Sequence, residues 1–173
     1  MRRLEFLCAL TVVVAACSKP APPAPRIYIL GERVENGPMV YRVTEARWLR
    51  QLGEGPEARV PAHRFFAVRF SVVNGGAAEA YLPPFFVVDA SGQAQGELAD
   101  AGGLADWIGI VRKVNANDTL EGSVVFDVEP KAYHLRIGED GEQPAPRVEL
   151  PLRFEYETGP IPETPGQRMP GVQ

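Results

Sequence analysis

The chain has little cysteine, little histidine and no long apolar run, and each shortage excludes something. It holds two cysteines, Cys8 and Cys17, both near the N-terminus. The part long enough to fold therefore carries no thiol. It can form no disulfide, no thiolate metal site and no cysteine nucleophile, so its hydrophobic core must hold it together. Two histidines, His63 and His134, cannot make a metal centre without further donors such as Met39 or a carboxylate, and no short ligand spacing links them. No metal and no cofactor are expected. No apolar stretch approaches the roughly 20 residues that cross a bilayer as a helix. The net charge of −4 and the lack of a polybasic stretch argue against nucleic acid and against electrostatic attachment to anionic lipid. Ser71, Ser91 and Ser123 lack a Gly-x-Ser-x-Gly setting. Glu139, Asp140 and Glu142 sit in an acidic turn that reads as solvated loop, and Asn117, Asp118 and Glu121 lack EF-hand spacing. No catalytic residue can be named, and an enzyme is not expected.

What is present begins with Met1-Arg2-Arg3, a positive start, followed by the apolar run Phe6 to Ala16. This length suits a secretory signal. Val14-Ala15-Ala16-Cys17 then resembles the lipobox of bacterial lipoproteins. The resemblance implies that Val14, Ala15 and Ala16 are read by the signal peptidase. It further implies that residues 1–16 are removed and that Cys17 is acylated through its thiol. Two or more acyl chains give a lasting tether to the lipid bilayer. Ser18 after the cysteine resembles the outer-membrane case, with the protein facing the periplasm. Residues 17–25 carry the modified cysteine and Ser-Lys-Pro-Ala-Pro-Pro-Ala-Pro. Such a segment favours polyproline II at about 3.1 Å per residue, a stand-off of roughly 25 Å.

Residues 26–156 read as strands and turns. Arg26 to Gly31 is a short apolar strand, and Asn36-Gly37 within Glu32–Pro38 predicts a turn. Met39 to Trp48 places Met39, Tyr41 and Val43 on one face. Leu49 to Ala62 reads as a long loop. His63 to Val73 alternates, with Phe66, Val68, Phe70 and Val72 on one face and Phe65, Ala67, Arg69, Ser71 and Val73, mixed in polarity, on the other. Phe85 to Val88 is short because Pro83-Pro84 precedes it. Gly96 to Ile110 has no clear period, and one helical turn over Leu104 to Trp107 is predicted there. Val111 to Val114 reads as a short strand. Thr119 to Val128 places Leu120, Val124, Phe126 and Val128 on one side, with Gly122 marking a bulge or a close approach. Ala132 to Ile137 and Arg147 to Tyr156 complete the set. Residues 157–173 have four prolines and little to bury, and are predicted to be a disordered tail. Seven to eight strands without an ordinary helix predict an all-β domain, an antiparallel β-sandwich of immunoglobulin-like type.

Three segments carry a second resemblance. Phe65–Asn74 followed by Tyr81-Leu82-Pro83, Phe86–Gly92, and Asn115–Pro130 followed by Tyr133–Ile137 resemble small secreted immunoglobulin-like domains of bacterial lipoproteins. That family is catalogued as a domain of unknown function and is similar in fold to the mycobacterial immunoprotective extracellular antigen. The likeness spans Ile27 to Phe154 and implies a fold, not an activity. Asn117-Asp118 stands where the family usually has Pro-Gly. Trp48, Tyr81 and Trp107, at strand ends or in loops, are the candidate binding patch, with plugging of the sandwich ends as the competing reading. The expected function is that of a membrane-anchored envelope lipoprotein whose domain is a non-enzymatic binding or assembly module for a protein or envelope partner. The alternative is a periplasmic small-ligand or metal-binding carrier.

Overall fold

The computed structural model describes residues 23–141 and 143–152. The predicted signal, Val14 to Cys17, the start of the linker and the 157–173 tail lie outside the described residues. So do residues 153–156 of the last predicted strand.

Phe65–Asn74 (β4) is central to its sheet, paired with a neighbour along both edges. Its even-numbered side chains Phe66, Val68, Phe70 and Val72 all face one core and are each 1% exposed or less. Met39–Leu49 (β3) and Thr119–Asp127 (β9) flank it, and Arg33–Asn36 (β2) completes a sheet ordered β2-β3-β4-β9. The facing sheet runs β1-β11-β10-β6-β7. Its strands are Ile27–Tyr28 (β1), Phe85–Val88 (β6), Ala94–Gly96 (β7), Tyr133–Ile137 (β10) and Arg147–Leu150 (β11). Ala80–Tyr81 (β5) and Lys113–Val114 (β8) form a separate two-stranded ribbon. Between the sheets, Tyr41, Phe70 and Phe85 pack with ring centroids 4.8 to 6.4 Å apart. Each such fully buried side chain contributes about 1.5–3 kcal/mol.

The connections interlock the sheets. β4 leads across to β6 and β9 leads across to β10, while β4 pairs with β9 and β6 with β10. At the second crossing the Tyr133 hydroxyl donates to the Glu129 carbonyl at 2.8 Å. This is the tyrosine corner that fastens immunoglobulin-type sandwiches. The all-β, immunoglobulin-like sandwich predicted from sequence is the fold observed.

Several details depart from the sequence reading. There are eleven strands among the described residues, because β2, β5 and β7 are only two to four residues long and leave no readable period. β2 occupies most of the predicted turn. The turn itself is Gly37-Pro38, with Gly37 at φ 59° and Asn36 paired to Met39. The sandwich is not wholly antiparallel, since β1 runs parallel to β11. The predicted helical turn at Leu104–Trp107 is replaced by two successive turns, in which Leu104 N donates to Ala101 O and Trp107 N to Leu104 O. The predicted loop at Leu49–Ala62 contains a single 3-10 turn, Gly55–Glu57. A bulge between Val43 and Glu45 shifts β3 by one residue, so Ala46 and Trp48 join Met39, Tyr41 and Val43 on the core face.

The outer face of β4 and β9 carries a second apolar cluster of Leu52, Phe65, Ala67, Ala101 and Val125. Residues 98–108 lie over it as a strap. Leu98 N donates to Val125 O, Ser123 N to Asp106 O and Ile108 N to Ser123 O. The strap thereby covers much of the otherwise open edge of β9, the usual site of unwanted strand pairing. Gly122 lies directly beneath it: a Cβ there would fall 2.1 Å from Ile108 Cγ2 and 2.6 Å from Asp106 O. The close approach expected at this glycine is present.

Candidate functional site

The predicted patch residues do not share a surface. Trp48 packs within the main core, its ring stacked on Phe66 at 4.2 Å and 17°. Trp107, within the strap, packs against the second cluster. Tyr81 alone of the three is open to solvent, 64% exposed. The bulge in β3 turns Trp48 inward, and a bulge leaves little trace in a sequence. The histidines also separate. His63 lies at one end of the sandwich, whereas His134 sits within β10 between Val88 and Glu149. Met39 is buried in the core and cannot serve as a donor beside either. Among the described residues, no group of three or more His, Asp or Glu side chains is arranged to hold a metal ion.

The ends of the sandwich differ in chemistry. The proximal end is where the chain enters at Ile27, beside the starts of β6 and β11 and the end of β10. There Arg147 N donates to Arg26 O and Gly138 N to Pro84 O. The distal end gathers the start of β4, the end of β6, the end of β9 and the start of β10. A cleft of about 230 Å³ opens there, lined chiefly by His63, Asp89, Asp127, Glu129, Lys131 and Tyr133.

Most polar groups of this cleft are committed to holding its walls. Asp127 accepts from Ala62 N at 2.7 Å and His63 N at 2.9 Å, which fixes the chain entering β4. Asp89 accepts from Ser91 Oγ at 2.6 Å and Gln93 N at 3.0 Å, closing the β6–β7 turn. Its other oxygen accepts from Lys131 Nζ at 2.8 Å. Lys131 and the Ser91 hydroxyl hold the Asp89 carboxyl well below the usual carboxylate range, and Asp89 in turn raises Lys131. Burial raises the Tyr133 hydroxyl. Glu129 remains 70% exposed and the His63 residue is exposed as well. No serine, threonine or cysteine lines the cleft. What it offers is a set of hydrogen-bonding and charged groups, some held in the walls and some open to solvent.

The β5–β8 ribbon lies at the proximal end and joins β6 through Leu82 to Pro84. Tyr81 is opposite Lys113, and Leu82 N donates to Arg112 O at 3.0 Å. Tyr81 and Lys113 thus share one face, and Leu82, Arg112 and Val114 lie on the other, while Ile110 and Val111 form the bend before β8. The inner three are 8%, 4% and 3% exposed, whereas Val111 is 80% exposed. Arg112 forms an ion pair with Glu97 inside the protein, and its guanidinium lies 5.2 Å from the centre of the Phe85 ring. Sequence reasoning missed Arg112, because an arginine beside a lysine reads as surface. It also missed Val111 and the preceding Ile110 as exposed apolar residues.

No protein-family model matches the chain, and a search of curated proteins finds no match. Solved structures do match. The secreted protein MPT63 of Mycobacterium tuberculosis is 16% identical, with a TM-score of 0.57 over 73% of this chain and 98% of that one. The yjhA protein of Bacillus subtilis is 12% identical, with a TM-score of 0.56 over 71% of this chain and 98% of that one. The ycdA protein of Bacillus subtilis, proposed to be a lipoprotein, is 11% identical, with a TM-score of 0.51 over 71% of this chain and 39% of that one. At these identities the likeness is one of fold, and the chain shares the β-sandwich of these bacterial proteins.

Proposed function

We propose that this chain is an envelope lipoprotein, held by acylated Cys17 at the outer membrane and facing the periplasm. Its immunoglobulin-like domain acts as a non-enzymatic binding or assembly module, with the distal cleft turned toward a protein or envelope partner. The observation that carries this reading is the opposition of the two ends. The chain enters the fold at the proximal end, and the polar cleft opens at the other, so a tether before Arg26 would hold the cleft away from lipid. A fold shared with a secreted protein and a proposed lipoprotein supports an envelope location. The reading assigns no catalytic group. The carrier alternative calls for a concave apolar pocket or His63 and His134 within shared coordination range, and the cleft is polar and contains His63 without His134.

The test is site-specific photocrosslinking in living cells, with the photoreactive residue at Gln93, Gln95 or Glu129. Discrete adducts should form from these positions, weaken when Cys17→Ser releases the domain, and be absent from a control position at Glu35 in β2. Absence of adducts from all three cleft positions would remove the binding module from this end.

A further inference from the structure

We infer that the proximal end is itself a membrane-contact surface: Tyr81 on the β5–β8 ribbon, with Ile110 and Val111 in the bend that leads into β8, lies against the lipid headgroups. This rests on the reading of Cys17 as the acylated residue. Three observations converge on it. The first is exposure: Tyr81, Ile110 and Val111 are 64%, 50% and 80% exposed, although the opposite face of the same ribbon is buried. Ile27, where the chain enters this end, is 55% exposed. The second is distance along the chain. Eight residues, Ser18 to Pro25, separate Cys17 from Arg26, with an expected reach of roughly 25 Å. Arg26 is bonded to Arg147 at the proximal end, so a bilayer that holds Cys17 lies within reach of the ribbon and not beside the distal cleft.

The third is chemistry. An amphipathic tyrosine beside branched aliphatic residues suits the boundary between headgroups and acyl chains, where an apolar body and a polar tip are both satisfied. Lys113 on the same face is paired with Glu79 at 2.9 Å, which offsets its charge, and the Arg26 guanidinium at this end lies over the Tyr28 ring. The contact is therefore apolar and independent of anionic lipid. A single weak surface contact does not hold a protein on a membrane, but beside a lipid anchor it fixes the orientation of the domain.

Acylated full-length protein, reconstituted into protein-free phosphatidylcholine vesicles, tests this. With Cys8 removed and Cys17 acylated, Val111→Cys or Ser91→Cys supplies a unique thiol for a fluorophore. Quenching by aqueous iodide should fall several-fold at position 111 relative to the unacylated Cys17→Ser chain in solution. At position 91, in the distal β6–β7 turn, it should not change. Tyr81→Ser with Ile110→Ser should restore quenching at 111, and adding phosphatidylglycerol or salt should change nothing. Equal quenching at both positions in an acylated chain overturns the lipid contact alone. Shielding that occurs in cells but not in these vesicles assigns the face to a protein and also overturns it. Palmitate labelling of the wild-type chain, lost in Cys17→Ser, reports the anchor separately. A chain without label overturns both readings.

Discussion

Residue-scale chemistry in this protein is concentrated in a few buried polar groups that hold loops in place. Asn74 is fully buried at the end of β4. Its side chain donates to Ala78 O and Val114 O and accepts from Gly76 N, tying three segments of the proximal end together. Arg112 and Glu97 bracket the strap, one at each end of it. Breaking such a pair on one side strands a charge, whereas replacing both partners with apolar residues of similar volume is often tolerated. Arg112→Met should therefore cost about 3–5 kcal/mol, and Glu97→Met with Arg112→Met should recover part of it, the remainder being the Phe85 amide left without its Glu97 acceptor. Urea unfolding midpoints of the single and double variants check this, and equal losses in the two would refute it. Neither role was legible in the sequence. Asn74 was readable as a strand end before two glycines, but buried polar residues leave no periodic signal. Asn117 was partly legible. It stands in a turn between strands, and it adopts φ 57°, a conformation asparagine tolerates better than most residues.

Among the elements, legibility followed apolar alternation. β4 and β9 were readable nearly residue by residue because both bury one face in the main core along their whole length. β2 was not, since Val34 is its only apolar residue. The strap was the least readable segment. It binds the sheet through backbone hydrogen bonds and close glycine contacts, neither of which has a side-chain period. At Gly103 a Cβ would lie 2.6 Å from Gly53 N, so the strap and the loop before β4 meet backbone to backbone. Gly122 gives the sharper test. Gly122→Ala should lift Ile108 and Asp106 from β9 and cost about 1–3 kcal/mol, the usual range for overpacking. Hydrogen exchange should speed up at Leu98, Ile108 and Ser123, whose amides make the strap bonds, and stay slow in β10. Unchanged protection at those three amides would mean that the strap is not seated on Gly122.

At the scale of the whole molecule, charge sets a broad range of stability with respect to pH. Asp89 is held below its ordinary range by Lys131 and Ser91. At Asp140, burial pushes the carboxyl up, but the Ala145 amide and the Arg136 and Arg147 guanidiniums outweigh it and the net shift is downward. A depressed carboxyl stabilises the fold above its unfolded pKa, about 3.9 for aspartate, and the benefit is lost as pH falls through the folded value. Lys113 and Lys131 are raised by Glu79 and Asp89, and Tyr41 and Tyr133 are raised by burial. Their contributions are present below the unfolded values, near 10, and are lost as pH rises through the folded ones. Urea midpoints should thus be level from about pH 5 to 9 and fall on either side, gently because most of these groups meet solvent. A steady slope across that interval would contradict the assignment.

The parallel pairing of β1 with β11 has a mechanical consequence. Because the two strands run the same way, the chain enters at one end of the sandwich and leaves β11 at the other. A pull between the proposed N-terminal tether and anything gripping the far end of β11 would act along these strands, not across them. The hydrogen bonds joining Ile27 and Tyr28 to Arg147 and Val148 would be loaded together in shear, instead of opening one after another. A domain strung between a membrane and a partner would carry tension along the axis on which its terminal strands yield least readily.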